Sequence, residues 1–245
     1  MLGVVGRTDD SLAALTESVR HYRSLADTGR HLPEFAAALN NLAVRFGEAG
    51  RHQEAVDAAR QAVDLRSALA LVDPDAYASA AATSFGNLST ALGRLGRRTE
   101  SLQFARAAVD VHRALARADP GTHRPALARA LNNVSNLLFA LDLPAEGLAA
   151  VEEAVAHHRD LAGAPHGRVH LPALATSLAN LALRLSGAGR QSEALDAVQE
   201  AVALHRTLAR AEPLAFTRPL ERTLQLAARL GCAPGDFGSD AAPGT

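Results

Sequence analysis

The chain has 245 residues, of which 48% are hydrophobic, and a formal net charge of -1. That is enough apolar material for a continuous core and too little excess positive charge for a dominant attraction to nucleic acid or an anionic membrane. With one cysteine, Cys232, neither an intrachain disulfide nor a multi-cysteine metal site can form, and no stretch approaches the roughly 20 apolar residues of a spanning helix. The N-terminal apolar run before Arg7 is far too short for a secretory signal, so the expected location is cytoplasmic.

Strand-favouring residues are scarce: there is no Ile and no Trp, and all 25 basic residues are Arg because Lys is absent. Ala, Leu and Arg dominate, and all three are strong helix formers, so the predicted elements are helices. The first of them spans residues 7–27, an amphipathic segment with Leu12, Leu15 and Val19 on its apolar side. Its preceding Gly-Val-Val-Gly-Arg7 echoes Gly47-Glu-Ala-Gly-Arg51, which marks it as the second half of a unit whose first half is missing.

Next come two helices that define a repeat. The first, called A, carries Leu39, Leu42, Ala43 and Phe46 at helical spacing and ends at Gly50, a residue suited to a left-handed cap. The second, B, carries Ala55, Ala59, Ala62, Val63 and Leu69, small enough on one side for close helix approach, and is expected to stop near Pro74. The same pattern returns from Phe85, Leu131 and Leu178, at periods of 46, 46 and 47 residues. Gly96 and Gly189 repeat the cap, with Asp142 in the third unit, and Pro120, Pro165 and Pro213 repeat the stop. Helix A is expected to restart about five residues later, around Pro33, Ser79, Pro125 and Pro172. Four units thus fall at about 31–75, 77–121, 123–168 and 170–214. A last helix over 217–230, with Arg218, Glu221, Arg222, Gln225 and Arg229, suits a polar terminal cap. Residues 232–245, rich in Gly, Ala, Pro and Asp, are expected to lack structure.

At Leu39-Asn40-Asn41-Leu42-Ala43, Phe46, Gly50, Glu54-Ala55, Ala62-Val63 and Pro74 the chain resembles the long-period tetratricopeptide repeats of kinesin light chains and their bacterial relatives. The resemblance runs from residue 7 to about 231. It implies an all-α fold, an α-α superhelix (solenoid) of about five helix pairs, whose A helices line a groove that receives a protein or extended peptide. Gly86 and Ala179 depart from the pattern by replacing the first Asn of the pair. The resemblance also implies that such arrays can be parts of larger signalling regulators, which would account for the half-unit start.

The candidate site follows from the asparagines. All of them, Asn40, Asn41, Asn87, Asn132, Asn133, Asn136 and Asn180, fall on A helices. Asn costs a helix roughly 0.5 kcal/mol relative to Ala, so something must offset it. The column Asn41, Asn87, Asn133 and Asn180 can present amide donors and acceptors to the backbone of an extended partner. The alternative is that these amides bond between adjacent A helices and set the repeat register. Asn40, Asn132 and Asn136, with Arg129, Arg94 and Glu48 at helical spacing, extend the same surface.

Catalytic motifs are absent: no Gly-x-Ser-x-Gly, no phosphate-binding loop and no His-Glu-x-x-His. His112, His158 and His205 share one B-helix column, but neighbouring helices hold such side chains too far apart for one metal. His166 and His170 have an i, i+4 spacing but fall in a loop before Pro172. The expectation is therefore a non-catalytic scaffold without metal or cofactor, binding protein rather than nucleic acid or membrane. The rival is a self-associating module, a homo-oligomer driven by Leu12, Leu15 and Val19.

Overall fold

The computed structural model describes residues 2–26 and 30–232. Among them stand ten α-helices and no strand: α1 (Leu2–Ala26), α2 (Leu32–Glu48), α3 (His52–Val72), α4 (Pro74–Arg94), α5 (Arg98–Ala118), α6 (Pro120–Ala140), α7 (Pro144–Gly163), α8 (Leu171–Gly187), α9 (Gln191–Ala211) and α10 (Pro213–Leu230). A short 3-10 turn, Gly167–His170, precedes α8. No helix among the described residues is long and apolar enough to cross a membrane. The chain divides into two compact units, residues 1–123 and 124–245.

The turn within each pair is built the same way four times. Gly50, Gly96 and Gly189 take φ of 76°, 85° and 75°, and the next amide returns to the helix just ended: Arg51 to Phe46, Arg97 to Leu92 and Arg190 to Leu185, each at 2.9 Å. This satisfies carbonyls that the helix end would otherwise leave bare. Asp142 adopts φ of 59° to do the same, with the Leu143 amide on Leu138. Three of the four following helices then open with a charge pair, Arg51 with Glu54, Arg97 with Glu100 and Arg190 with Glu193.

The starts of α2 and α8 fall where the sequence places them, with Pro33 and Pro172 in the first turn, whereas the other turns between pairs differ from the sequence expectation. Pro74, Pro120 and Pro213 begin the next helix instead of only ending the last, so α4 starts at Pro74 and not near Ser79, and α6 contains Pro125 in its interior. A single residue, Asp73, Asp119 or Glu212, makes the connection. The reason is local: proline's missing N–H costs nothing in a helix's first turn, and Asp73 Oδ1 accepts the Ala76 amide at 3.0 Å as a cap. At the N-terminus α1 begins at Leu2, so Gly3 and Gly6 continue the helix where a turn was expected; helical glycine costs only about 1 kcal/mol. The last helix likewise runs from Pro213, with Pro219 inside it.

In the first unit, the core joins Leu12 and Val19 of α1 to Leu39, Leu42 and Phe46 of α2, Val56 of α3 and Leu88 and Leu92 of α4. Leu12 and Val19 are buried and Leu15, partly buried, packs against this cluster, so two of the three residues expected to drive self-association are covered by the chain's own helices. In the second unit, Val151, Val155, Leu178, Leu185, Val198 and Val202 form the core, and Cys232 is buried with them. The tail expected to be unstructured therefore loses its first residue to the core; residues 233–245 lie outside the described ones.

Where helix A crosses its own B, the contact is made of small residues. Ser89 and Ser101 hydroxyls lie 3.0 Å apart, with Ser101 also donating to the Ser89 carbonyl. One period later Ser135 donates to the Gly147 carbonyl at 2.7 Å, and a Cβ at Gly147 would meet the Phe139 ring at 2.6 Å. Ala43 and Ala55, then Ala182 and Ala194, hold the same places and are all buried.

Candidate functional site

The asparagines separate into two columns with different fates. In the first, Asn40 is buried and its Oδ1 accepts from Asn87 Nδ2 at 2.9 Å and from Ser84 Oγ at 3.4 Å, linking α2 to α4. Asn132 donates to Ser177 Oγ at 2.7 Å, linking α6 to α8 one double-period later. These amides bond between A helices, as the register-setting alternative requires. Ser84 and Ser177, together with Thr223 on α10, share one repeat position that sequence reasoning passed over; the 46-residue alignment alone would have shown it.

The second column is mostly open. Asn41 and Asn133 are exposed and Asn180 is half-buried, and none has a side-chain hydrogen bond among the described residues. Asn87 is the exception, its nitrogen held by Asn40. In the first unit, Asn41 also borders a shallow hollow of about 480 Å³ lined by Ala14, Leu15, Val44 and Arg45. Val44 and its counterpart Leu183 are 39% and 38% exposed, so each unit offers apolar area beside an asparagine.

Asn136 accepts from Arg184 Nη2 at 2.9 Å, and the same guanidinium lies 4.0 Å from the centre of the Phe139 ring. Asn136 is thus a second link between α6 and α8, found only in the structure. Glu48 is paired with Arg45 at 2.6 Å. Arg94 is exposed and lies along α2: a Cβ at Gly47 would meet its Nη1 at 2.8 Å. Arg129 is exposed four residues before Asn133.

The B helices carry a different chemistry. Arg60 of α3 reaches Glu100 of α5 at 3.0 Å; in the other unit the signs reverse, Glu152 of α7 meeting Arg190, at the N-cap of α9, at 2.9 Å. In the column holding His112, His158 and His205, two members reach the following A helix within their own unit. Arg66 in that column donates to the Ala80 carbonyl and to Ser84 Oγ, both at 3.0 Å, and His205 Nδ1 lies 2.9 Å from Thr223 Oγ1. All three histidines are buried. Burial, reinforced by His170 and His157 nearby, pushes the His158 imidazole down to about 4, and burial also lowers His205. Among the described residues no three His, Cys, Asp or Glu side chains are grouped to hold a metal ion.

Helix pairs with a left-handed residue at each inner turn, small residues at each crossing and asparagines between A helices make up a repeat type that the comparisons decide. Residues 35–70, 81–119 and 174–209 match the tetratricopeptide repeat. These three segments are tetratricopeptide repeats. The matched segments are the first, second and fourth repeats; the third departs from them at its inner turn, where Asp142-Leu143 stands for Gly-Arg. Among solved structures, BtubC (BKLC) from P. vanneervenii is similar with a TM-score of 0.72 at 19% identity, over 94% of this chain and 85% of that one. A Podosopora anserina putative kinesin light chain with nearly identical TPR-like repeats reaches 0.61 at 19% identity, over 84% and 90%. MamA reaches 0.55 at 13% identity, over 84% and 97%. At these identities the likeness establishes the α-α superhelix fold class that this tetratricopeptide-repeat protein shares with them. None of the curated proteins matches this sequence.

Proposed function

We propose that this tetratricopeptide-repeat protein is a non-catalytic scaffold that holds an extended polypeptide against its A helices, through the open amides of Asn41, Asn133 and Asn180. The observation that carries this reading is the division between adjacent asparagines: Asn40 and Asn132 are consumed in bonds between A helices, while Asn41 and Asn133 stand exposed one residue later. An exposed mid-helix asparagine without a partner offsets none of its helix cost within the fold. A carboxamide does offer the donor and acceptor that a partner's backbone needs. Arg129 beside Asn133, and Val44 and Leu183 beside Asn41 and Asn180, supply the side-chain contacts. The chemistry of catalysis is not assembled in this reading, and the single buried cysteine suits a cytoplasmic setting.

The test uses a partner captured from the source cell. Asn41→Ala and Asn133→Ala together should weaken its binding by about tenfold, equivalent to about 1.4 kcal/mol, while leaving the melting temperature unchanged or slightly raised. Unchanged affinity in a folded double variant would remove the second column from the site.

A further inference from the structure

Among the described residues, the four large apolar side chains most open to solvent all lie where a B helix hands over to the next A helix. Leu71 and Val72 end α3 and are 86% and 87% exposed; Leu214 opens α10 and is wholly exposed; Val169, in the 3-10 turn before α8, is 75% exposed. The fold does not ask for them. The turn from α5 to α6 is built alike, and there the positions of Leu71 and Val72 carry Arg117 and Ala118, and that of Leu214 carries Gly121. The turns α3–α4 and α9–α10 share one backbone: Asp73 and Glu212 have φ of -139° and -138° and ψ of 86° and 76°, and their amides bond the Leu69 and Leu208 carbonyls at 2.9 and 2.8 Å. Leu71 and Arg210 therefore hold one place, before the proline, and Asp75 and Leu214 hold another, just after it. All four are exposed. The contents are exchanged between the two turns: apolar then acidic in the first unit, basic then apolar in the second.

We propose that the α3–α4 turn of one copy docks on the α9–α10 turn of a second copy, joining Leu71 to Leu214 and Asp75 to Arg210. When two turns of like build meet about a local two-fold axis, the first place of each faces the second place of the other. Two α3–α4 turns would set Leu71 against Asp75, and two α9–α10 turns would set Arg210 against Leu214, each covering a charge with a leucine. The mixed meeting alone sets apolar on apolar and acid on base. The edges also carry opposite charge: Asp73 and Asp75 flank Leu71 and Val72, whereas Arg168, Arg210 and Arg218 outnumber Glu212 around Val169 and Leu214. Val169 widens the apolar part of the second edge, because Ser177 and Thr223 share a repeat position and so set it level with the first turn of α10. An anionic membrane is a poorer match, since Asp73 and Asp75 would face it. This contact uses neither the asparagines of the scaffold reading nor Leu12 and Val19, which are buried in the first unit.

Sedimentation velocity of the full chain over about 5–500 μM should show self-association with a Kd on the order of 100 μM, the weak range of a small interface. Leu71→Ser with Leu214→Ser, Asp75→Arg alone and Arg210→Asp alone should each weaken it by about tenfold. Asp75→Arg and Arg210→Asp in one chain should restore it, while Arg117→Asp at the α5–α6 turn should leave it unchanged. An equimolar mixture of the two single charge variants should associate about tenfold more tightly than either alone, because the reversed charges face each other only between copies. All these positions are exposed, and unchanged helicity and melting temperature show that each variant is folded. A chain that stays monomeric throughout that range, association indifferent to the serine pair, or charge reversals that fail to rescue each other would each overturn the proposal.

Discussion

Two adjacent asparagines in α6 do opposite work, and their replacement separates them. Asn132 joins α6 to α8 through Ser177; removing it leaves a buried hydroxyl without its donor, which costs about 1–2 kcal/mol. Asn133 is exposed and contributes no hydrogen bond to the fold; alanine there should be neutral or stabilise by roughly 0.5 kcal/mol through helix propensity. Urea denaturation should therefore give a lower midpoint for Asn132→Ala and an unchanged or higher one for Asn133→Ala. A second residue-scale expectation concerns pH. His158 is held neutral when folded, with its pKa lowered from 6.5 to about 4, so the unfolded chain binds its proton first. Its contribution is complete above about 6.5 and is lost as pH falls toward 4. Replacing it with Gln should flatten the dependence of the urea midpoint on pH across that window; His205, lowered in the same direction, leaves a residual slope.

At the scale of elements, the repeated unit is a helix pair closed by one left-handed residue. Three turns use glycine, for which that backbone is free, and the third uses Asp142 at φ of 59°. Asp is among the few residues that tolerate this region, but at a cost. Asp142→Gly should stabilise the protein by roughly 0.5–1 kcal/mol, read as a higher thermal midpoint with unchanged helicity. A lower midpoint would show that the carboxylate does something in that turn that glycine cannot replace. The expectation that helix A restarts about five residues after the proline failed before α4 and α6 for a related reason: a proline is disfavoured in a helix interior but suits its first turn, so Asp73-Pro74 reads equally as an end and a beginning until the cap on Ala76 is seen.

At the scale of the molecule, helices within a unit are stabilised mainly by those that precede and follow them, as in other repeat arrays. Helix α3 packs between α2 and α4, whereas α1 packs chiefly on α2. Amide hydrogen exchange should accordingly be slowest in α3 and α9 and fastest in α1, since opening an end helix breaks one interface instead of two. Uniform protection across all helices would contradict this quasi-one-dimensional account.

Periodicity is why so much of the fold was legible from residues alone. Four copies of one pattern determine helix type, pairing, inner turns and the small residues at crossings, because each is dictated by local sterics repeated every 46 or 47 residues. The A-helix location of the candidate site was legible too, since all the asparagines fall there. What each asparagine does was not. Asn40 and Asn41 are chemically identical and adjacent in sequence; only the packing of α2 against α4 turns one toward Ser84 and leaves the other in solvent. The same holds for Leu12 and Val19, which as a sequence form an apolar stripe open to any partner and in the structure are buried in the core of the first unit. Local propensity acts within a helix and can be read along the chain; which side of that helix remains free depends on neighbours about 46 residues away, and tertiary packing alone decides it.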